Sequence, residues 1–465
     1  MNLLDDLRSL TGALVDEPGH HHALGELTET QVIDLLRGLE DLKAAACATQ
    51  ADLAVRLDHT VRAREAAAGV AAARRGRGVA QQVALARRES PHRGRVLLGF
   101  ARDLATDLPH TRTALASGRL NEHRAMIIAR ETGCLDSHQR SQVDTDTCAA
   151  PDLTNNPEHE DPLDGVGTAR LAGQVRARVA ATDPAAVVRR QRRAESERRV
   201  SVRPAPDGMA YLSGMLSLTQ AVACYAALDR DAKAIVAAGD PTHPGKARTK
   251  NQVMADLLVE RVTGQASADA VPVTVSLVMS DATLLGGGHE PAIIPGHGPV
   301  PAQVARETVA RATEELQAWV RRLYTDPAGR LIALSTTQRL ATEGLADYLK
   351  VRDQGLCRTP WCDAPARHVD HVTPWAEGGT TDAENLQGLC EACNHAKQAA
   401  GWRQQALDSL DGRHLVETTT PTGHRHRSPA PEPPRPADPA GQPTSPVRPR
   451  VDVRFTDLVD FVAAA

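Results

Sequence analysis

The stretch that decides the C-terminal fold begins with Cys357-Arg-Thr-Pro-Trp-Cys362 and ends with Cys390-Glu-Ala-Cys393. Four residues separate the first pair of cysteines and two separate the second. Both spacings let two thiolates converge on one tetrahedral ion. A segment of this length has too little core to be stable without a metal or a neighbouring domain. The pattern therefore predicts a structural Zn²⁺ bound by all four thiolates.

The residues suited to catalysis stand between and beside these cysteines. Asp370 and His371 are adjacent, so in an extended segment their side chains point to opposite faces. One can then hold a metal while the other faces an incoming water. Asn394 begins a predicted helix and can bring an amide oxygen to the same metal. Such oxygen ligands suit Mg²⁺ or Mn²⁺ better than Zn²⁺, and a zinc closed by four thiolates has no open position for catalysis.

These residues resemble the signature of HNH nucleases, which have the ββα-metal fold. The resemblance is carried by Asp370-His371-Val-Thr-Pro-Trp, Gly378-Gly379-Thr380, Asn385-Leu386, Leu389-Cys390-x-x-Cys393 and Asn394-x-x-Lys397. It implies that His371 is the general base, that Asp370 binds the catalytic metal, and that Asn385 braces the loop and orients the histidine. Asn394 occupies the last motif position, where many members have histidine. His395 beside it is the substitute candidate.

The resemblance implies a metal-dependent endonuclease that hydrolyses phosphodiester bonds in DNA with Mg²⁺ or Mn²⁺. Candidates for contact with nucleic acid are Arg358, Arg367, His368, His395 and Lys397. For the arginines and the lysine, surface solvation is an equal alternative. His368 either contacts a phosphate or only packs against its neighbours. The alternative function is a catalytically silent, zinc-stapled DNA-binding or scaffold protein. That protein would keep the cysteines but would not need Asp370, His371, Asn385 and Asn394 together.

The rest of the chain has a composition that favours helices. Only 11 of its 465 residues are aromatic, 48 of its 54 basic residues are arginine, and its net charge is −4. Nucleic-acid binding by bulk charge is therefore excluded and would need a local patch. The most basic stretch, 189–199, is either a phosphate-contacting face or a solvated helix face with Glu195 and Glu197 as partners.

The sequence predicts a mainly α chain divided into five parts. A flexible head over 1–27 precedes a mostly helical domain over 28–335, which has a few short strands. Its first helix is predicted to start at a capping box of Thr28 and Gln31, and from Val32 onward its apolar residues recur at helical spacing. The predicted strands of this domain include a hairpin around Pro206-Asp-Gly208 and a strand over 271–279. An HNH module over 336–416 follows, then a Pro-rich disordered linker over 417–450 and a short amphipathic segment over 451–465. That last segment would dock on a protein partner or fold back on the chain's own core. The whole arrangement resembles actinobacterial proteins that pair a helical domain of unknown function, number 222, with an HNH module.

The sequence also predicts where the protein works and with what. It begins without a basic region followed by an apolar run, and it has no run of 18 apolar residues. We therefore expect a cytoplasmic protein without a membrane span, in which paired cysteines bind metal more often than they form disulfides. A single HNH site cuts one strand, so a double-strand break would need a homo-oligomer or two visits.

Overall fold

The computed structural model describes residues 3–15, 27–150, 161–207, 209–239, 248–265, 277–280, 283–284, 288–314, 335–336 and 339–432. Most of the predicted linker and the whole amphipathic segment 451–465 lie outside these residues. Most of a strand predicted at 271–279 does too. Within them the chain is mainly α, with a few short strands and a small C-terminal module, so the predicted fold class is confirmed.

The N-terminal part is built from nine helices in the described ranges. They are α1 Leu3–Val15, α2 Glu29–Ala67, α3 Val79–Arg87, α4 Pro91–Thr106, α5 Pro109–Ala116, α6 Glu122–Thr132, α7 Ser137–Cys148, α8 Thr168–Thr182 and α9 Pro184–Ser196. The sequence places their starts: α2 has the predicted capping box of Thr28 and Gln31, and α4, α5 and α9 carry proline in the first turn. Helix α1 lies within the predicted head, and Asp5 and Asp6 suit its first turn.

Large aliphatic side chains from successive helices and from the turns between them form the core of this domain. Leu104, Leu108, Leu115, Leu120 and Ile128 are fully buried there. In α2 the buried residues begin only at Ala44. The apolar positions before it, such as Val32 and Leu36, are exposed, although the sequence pattern suggested a buried face. Helices α3 and α4 approach closely, because a Cβ on Gly94 would meet the carbonyl oxygen of Ala80 at 2.4 Å.

In the described part of the chain, a hairpin, three further helices and two short strands follow α9. Strands β1 Arg199–Pro204 and β2 Ala210–Met215 pair antiparallel, as predicted from the turn around Pro206-Asp207. Next come α10 Leu218–Ala237, α11 Lys250–Thr263, β3 Ala292–Ile294, β4 Gly298–Val300 and α12 Ala302–Glu314. Where the strand was predicted at 271–279, the described residues form one isolated bridge, between Val278 and Ile293. This bridge and α12 belong to a second compact unit. No described helix is long and apolar enough to cross a membrane.

The C-terminal module contains a ββα unit and an added sheet. Its elements are β5 Ser335–Thr336, α13 Glu343–Arg352, β6 His368–His371, β7 Thr381–Asp382, β8 Leu386–Leu389, α14 Glu391–Lys397, β9 Arg403–Leu407, β10 Leu415–Thr419 and β11 Arg425–Pro429. Strand β6 pairs antiparallel with β8, β5 pairs with β7, and β9 to β11 form a three-stranded sheet.

The predicted boundary at residue 416 is therefore wrong. It falls inside β10, whose residues 415–419 pair with both β9 and β11. The buried Glu417 carboxylate in β10 faces Arg425 and Arg427 across the sheet. The polar stretch 417–429, interpreted as the start of a disordered linker, is ordered because its charges are paired and its backbone joins a ladder.

Candidate active site and metal centre

The four cysteines come together as predicted. Cys357 and Cys362 lie on the turn before β6, Cys390 caps α14, and Cys393 lies in its first turn. All four are buried, and their sulfur atoms lie within 4.8 Å of one another. The Cys362 sulfur is 3.8 Å from those of both Cys390 and Cys393. A tetrahedral ion with Zn–S bonds of about 2.3 Å needs sulfurs about 3.8 Å apart, so the cluster could hold a structural metal such as zinc.

The thiols in this cluster alter one another's acidity. A hydrogen bond from Cys362 lowers the pKa of Cys357 to about 7. Hydrogen bonds from Cys357, Cys362 and Cys393 also lower the pKa of Cys390. The same contacts raise the pKa of Cys362 and of Cys393. Thiolates rather than thiols bind metal, so without an ion only two of the four cysteines are favoured in the ligand form.

His371 ends β6 and is held from the side by Thr381 of β7. Its Nε2 lies 2.9 Å from the Thr381 hydroxyl, which also lies 3.4 Å from the carbonyl oxygen of Arg339. Trp375 packs near the imidazole, with ring centroids 6.0 Å apart. Partial burial lowers the pKa of His371 and the nearby Lys397 lowers it further, against the opposing effect of Asp370. The imidazole is therefore neutral at pH 7.

Asn385 braces the loop between β6 and β7, in the position that the resemblance implies. Its side-chain nitrogen donates to the carbonyl oxygens of Thr373 at 3.1 Å and Thr380 at 2.8 Å, and its side-chain oxygen accepts from the Thr373 backbone nitrogen at 2.8 Å. The loop passes so close that a Cβ on Gly379 would lie 2.0 Å from the Thr373 carbonyl oxygen. Asn385 is buried and makes these contacts to backbone atoms, so we describe it as a positioning residue.

Asp370 and Asn394 bring oxygen atoms to the region where β6 meets α14. The Asp370 carboxylate forms an ion pair with the Lys397 ammonium, which also donates to the carbonyl oxygen of His371. The Asn394 side-chain oxygen is buried without a hydrogen-bond partner in the described part of the chain. A buried acceptor left unpaired is costly, and a hard divalent cation would satisfy it. The donor set therefore fits Mg²⁺ or Mn²⁺.

The comparisons with known proteins agree with this geometry. Residues 39–353, more than half of the chain, match the family model described as domain of unknown function (DUF222). The chain belongs to the DUF222 family. In this DUF222 protein, residues 356–400 match the model described as HNH endonuclease. A search of curated proteins and a search of solved structures each found no match.

Arg358 does not have the exposed position predicted for a phosphate contact. Its side chain is 3% exposed and pairs with buried Asp353 at 3.0 Å. It also donates to the carbonyl oxygens of His414 at 3.2 Å and Ser428 at 2.5 Å. Although burial opposes it, the guanidinium groups of Arg352 and Arg358 lower the pKa of Asp353. Arg358 therefore ties the zinc-binding turn to the three-stranded sheet, and the prediction that it contacts nucleic acid is wrong.

The remaining predicted contact residues divide into two groups. Arg367, His368 and His395 are exposed, as a contact with nucleic acid requires. Lys397 is half-buried and pairs with Asp370, so it belongs to the site itself. Sequence reasoning missed Thr381, for which the only signal was a pair of threonines after Gly378-Gly379. It also missed Asp353, which precedes the cysteines and carries no motif.

Replacing Arg358 with methionine should destabilise the module. Because Arg358 is buried, the substitution leaves the charges on the solvent-exposed surface unchanged. The substitution leaves the buried Asp353 carboxylate with Arg352 alone, and breaking such a pair costs about 3 kcal/mol. Chemical unfolding followed by fluorescence of the module's tryptophans would measure this loss. The matched control is Arg367→Met on the exposed side of the same segment, which should change stability by less than about 0.5 kcal/mol. Equal stability of the two variants would contradict the structural role of Arg358.

Proposed function

We propose that this protein is a metal-dependent HNH endonuclease that hydrolyses phosphodiester bonds in DNA, with His371 as the general base. The HNH match and the four-cysteine cluster support the class of enzyme. The single observation that carries the proposal is the environment of His371. It is a neutral imidazole, held by one ring nitrogen and adjacent in sequence to the Asp370 carboxylate. Lys397, one helical turn after Asn394 and its unpaired buried amide oxygen, contacts both Asp370 and the His371 carbonyl oxygen.

Nδ1 of His371 is the base atom in this proposal. The Thr381 hydroxyl lies 2.9 Å from Nε2 and 3.4 Å from the Arg339 carbonyl oxygen, an arrangement compatible with a hydroxyl that accepts from Nε2 and donates to Arg339. In that tautomer the proton is on Nε2 and the lone pair is on Nδ1. In the proposed reaction Nδ1 takes a proton from the attacking water. Asn385 holds the loop from Thr373 to Thr380 in place. This loop joins His371 to Thr381, so Asn385 helps to keep their side chains in contact.

Asp370 and Asn394 would hold the catalytic divalent ion. When bound, the ion stabilises the negative charge that develops on the phosphate and on the leaving 3′-oxygen. The Lys397 ammonium must release the Asp370 carboxylate for this purpose and is then placed to contact a phosphate. The four-cysteine zinc would act only as a structural support, because its coordination is complete. Arg367, His368 and His395 are the exposed groups available for neighbouring phosphates.

Replacing Asn394 with alanine should weaken the binding of the catalytic metal and leave the general base in place. We expect the concentration of Mg²⁺ or Mn²⁺ for half-maximal cleavage to rise by roughly 10–100-fold or more, since even outer-sphere partners of metals contribute that much. Cleavage should recover at high metal concentration. Metal titrations of the cleavage rate of a labelled duplex would measure this shift.

His395→Ala is the matched control for that titration. His395 is the next residue, it is exposed, and it is the other candidate for the last motif position. We expect its metal dependence to follow the wild type. If His395→Ala shifts the metal requirement and Asn394→Ala does not, the ligand assignment must move to His395.

One observation favours the alternative function, a catalytically silent DNA-binding or scaffold protein. The Lys397 ammonium already neutralises Asp370, and a permanent pair would leave no carboxylate for a divalent ion. The two functions differ in what they leave behind. The silent protein would bind duplex DNA with Mg²⁺ or Mn²⁺ present and make no strand breaks, whereas the nuclease makes breaks that need the ion.

A further inference from the structure

We propose that the helical domain carries its own DNA-contacting surface, formed by the exposed arginines of α9 and the polar face of the β1–β2 hairpin. We call this surface the arginine face; it comprises Arg189, Arg192, Arg193, Arg198, Arg199 and Arg203. Its ligand is the phosphate backbone of duplex DNA, bound without reading the base sequence. The proposal concerns binding alone and does not depend on whether the HNH site cuts.

The arginine face is a local reversal of the chain's charge. Residues 168–204 contain ten arginines and three acidic residues, a net charge of +7, while the whole chain carries −4. The remainder of the protein therefore carries a net charge of −11 (−4 minus +7). A concentrated positive region on an acidic protein gives an electrostatic footprint for a polyanion.

The orientation of α9 separates anchoring arginines from exposed ones. Arg190 donates to the backbone oxygen of Glu131 at 2.8 Å and pairs with its buried carboxylate at 3.4 Å. This contact and the burial of Ala186 attach α9 to the domain. Arg189, Arg192 and Arg193 are spaced i, i+3 and i+4, so they are neighbours on the helix surface. All three are exposed.

If α9 only presented a solvated face, its exposed arginines would pair with nearby acidic residues. In the part of the chain that the structure describes, no ion pair joins these arginines to Glu195 or Glu197. Glu131 already contacts Arg130, Arg176 and Arg190. The carboxylate of Glu195 accepts from Gln191 at 3.4 Å. Among the described residues, the structure records no ion pair for Arg192 or Arg193, and Arg189 reaches only Asp183, at 3.4 Å. The positive charge of this helix face is thus largely uncompensated.

The hairpin follows α9 directly in sequence and adds two arginines and an aromatic side chain. In the antiparallel register, Arg199 lies opposite Met215 and Arg203 opposite Tyr211, so residues at alternate positions share one face. The Arg203 guanidinium lies 4.1 Å from the centre of the Tyr211 ring. Both strands are exposed along their whole length. The DNA major groove admits a two-stranded ribbon, so the shape of the hairpin is compatible with close approach of its arginines to the phosphates that flank the groove.

The test measures equilibrium binding of the full chain to a labelled duplex of about three helical turns, without added Mg²⁺ or Mn²⁺. The variant is Arg189→Gln/Arg192→Gln/Arg193→Gln, and a second variant replaces the same residues with lysine. The matched control is Arg37→Gln/Arg56→Gln/Arg64→Gln, which removes three charges from exposed positions on α2. Fluorescence anisotropy at several salt concentrations gives both the affinity and its salt dependence.

We expect the α9 glutamine variant to bind at least about tenfold more weakly at 0.1 M salt, with a slope of log K against log salt that is shallower by about 2.7. The lysine variant should keep most of the affinity and the slope, and the α2 control should bind like the wild type. Wild-type affinity in the glutamine variant, or an equal loss in the α2 control, would overturn the proposal.

The same assays separate this proposal from the proposed nuclease function. A protein that binds through the arginine face and makes no strand breaks would contradict the nuclease and support the arginine face. A protein that cuts DNA while its α9 glutamine variant binds like the wild type would support the nuclease and contradict the arginine face.

Discussion

Replacing His371 with alanine should lower the rate of DNA cleavage by about 10²–10⁴-fold, the usual contribution of a positioned general base. The substitution removes the imidazole that Thr381 holds at 2.9 Å and leaves the backbone pairing of β6 with β8 unchanged. Zinc content, thermal stability and duplex binding should therefore match the wild type. Single-turnover cleavage of a labelled duplex at saturating Mg²⁺ or Mn²⁺ would measure the effect.

His368→Ala is the matched control, because His368 lies on the same strand three residues earlier and is exposed. It should keep cleavage within about tenfold of the wild type, since a single phosphate contact contributes to binding rather than to chemistry. High metal concentration should not restore His371→Ala, unlike Asn394→Ala. Full activity in His371→Ala would remove this residue from the mechanism.

Replacing Cys393 with serine should cause the module to lose its metal and its fold. All four sulfur atoms lie within 4.8 Å of one another, so one substitution breaks the tetrahedral set. Structural zinc contributes on the order of 10 kcal/mol to the folding of small domains, which is as large as the whole stability of a typical domain, about 5–15 kcal/mol. We expect less than a tenth of the wild-type zinc, rapid proteolysis of residues 356–430, and loss of cleavage.

Cys224→Ser is the control for the thiol chemistry. Cys224 is a free, exposed cysteine on α10, and its replacement should preserve one zinc per chain and the protease resistance of the module. Elemental analysis of both purified variants gives the zinc content directly. A Cys393→Ser protein with full zinc and an intact module would show that the cluster is not the metal centre.

The local features of the site could be predicted because short spacings determine them. The two cysteine pairs, the adjacent Asp370 and His371, and the bracing Asn385 each depend on residues close together in sequence. Asn385 reaches backbone atoms only 5 and 12 residues away. Helix starts such as Thr28 with Gln31 are equally local. For these features, the residue types and their spacing carry most of the information.

The misplaced features depend on contacts between distant parts of the chain. Arg358 is buried because the sheet after the motif supplies oxygens from His414 and Ser428, 56 and 70 residues later. From sequence alone, the residues of β10 and β11 are interpreted as part of a disordered linker, because the ion pairs of Glu417 with Arg425 and Arg427 form only across the paired strands. Thr381 holds His371 from a separate strand, so neither position indicates the other. Such contacts become visible only after the strands are paired.

Conversion of supercoiled plasmid by the purified wild-type chain tests the nuclease function in a single assay. We expect nicked circles that appear with Mg²⁺ or Mn²⁺, do not appear without a divalent ion, and do not accumulate in the same reaction time with His371→Ala. A plasmid that stays supercoiled with every ion, although the zinc-loaded chain binds it, would contradict the nuclease and leave the silent DNA-binding protein.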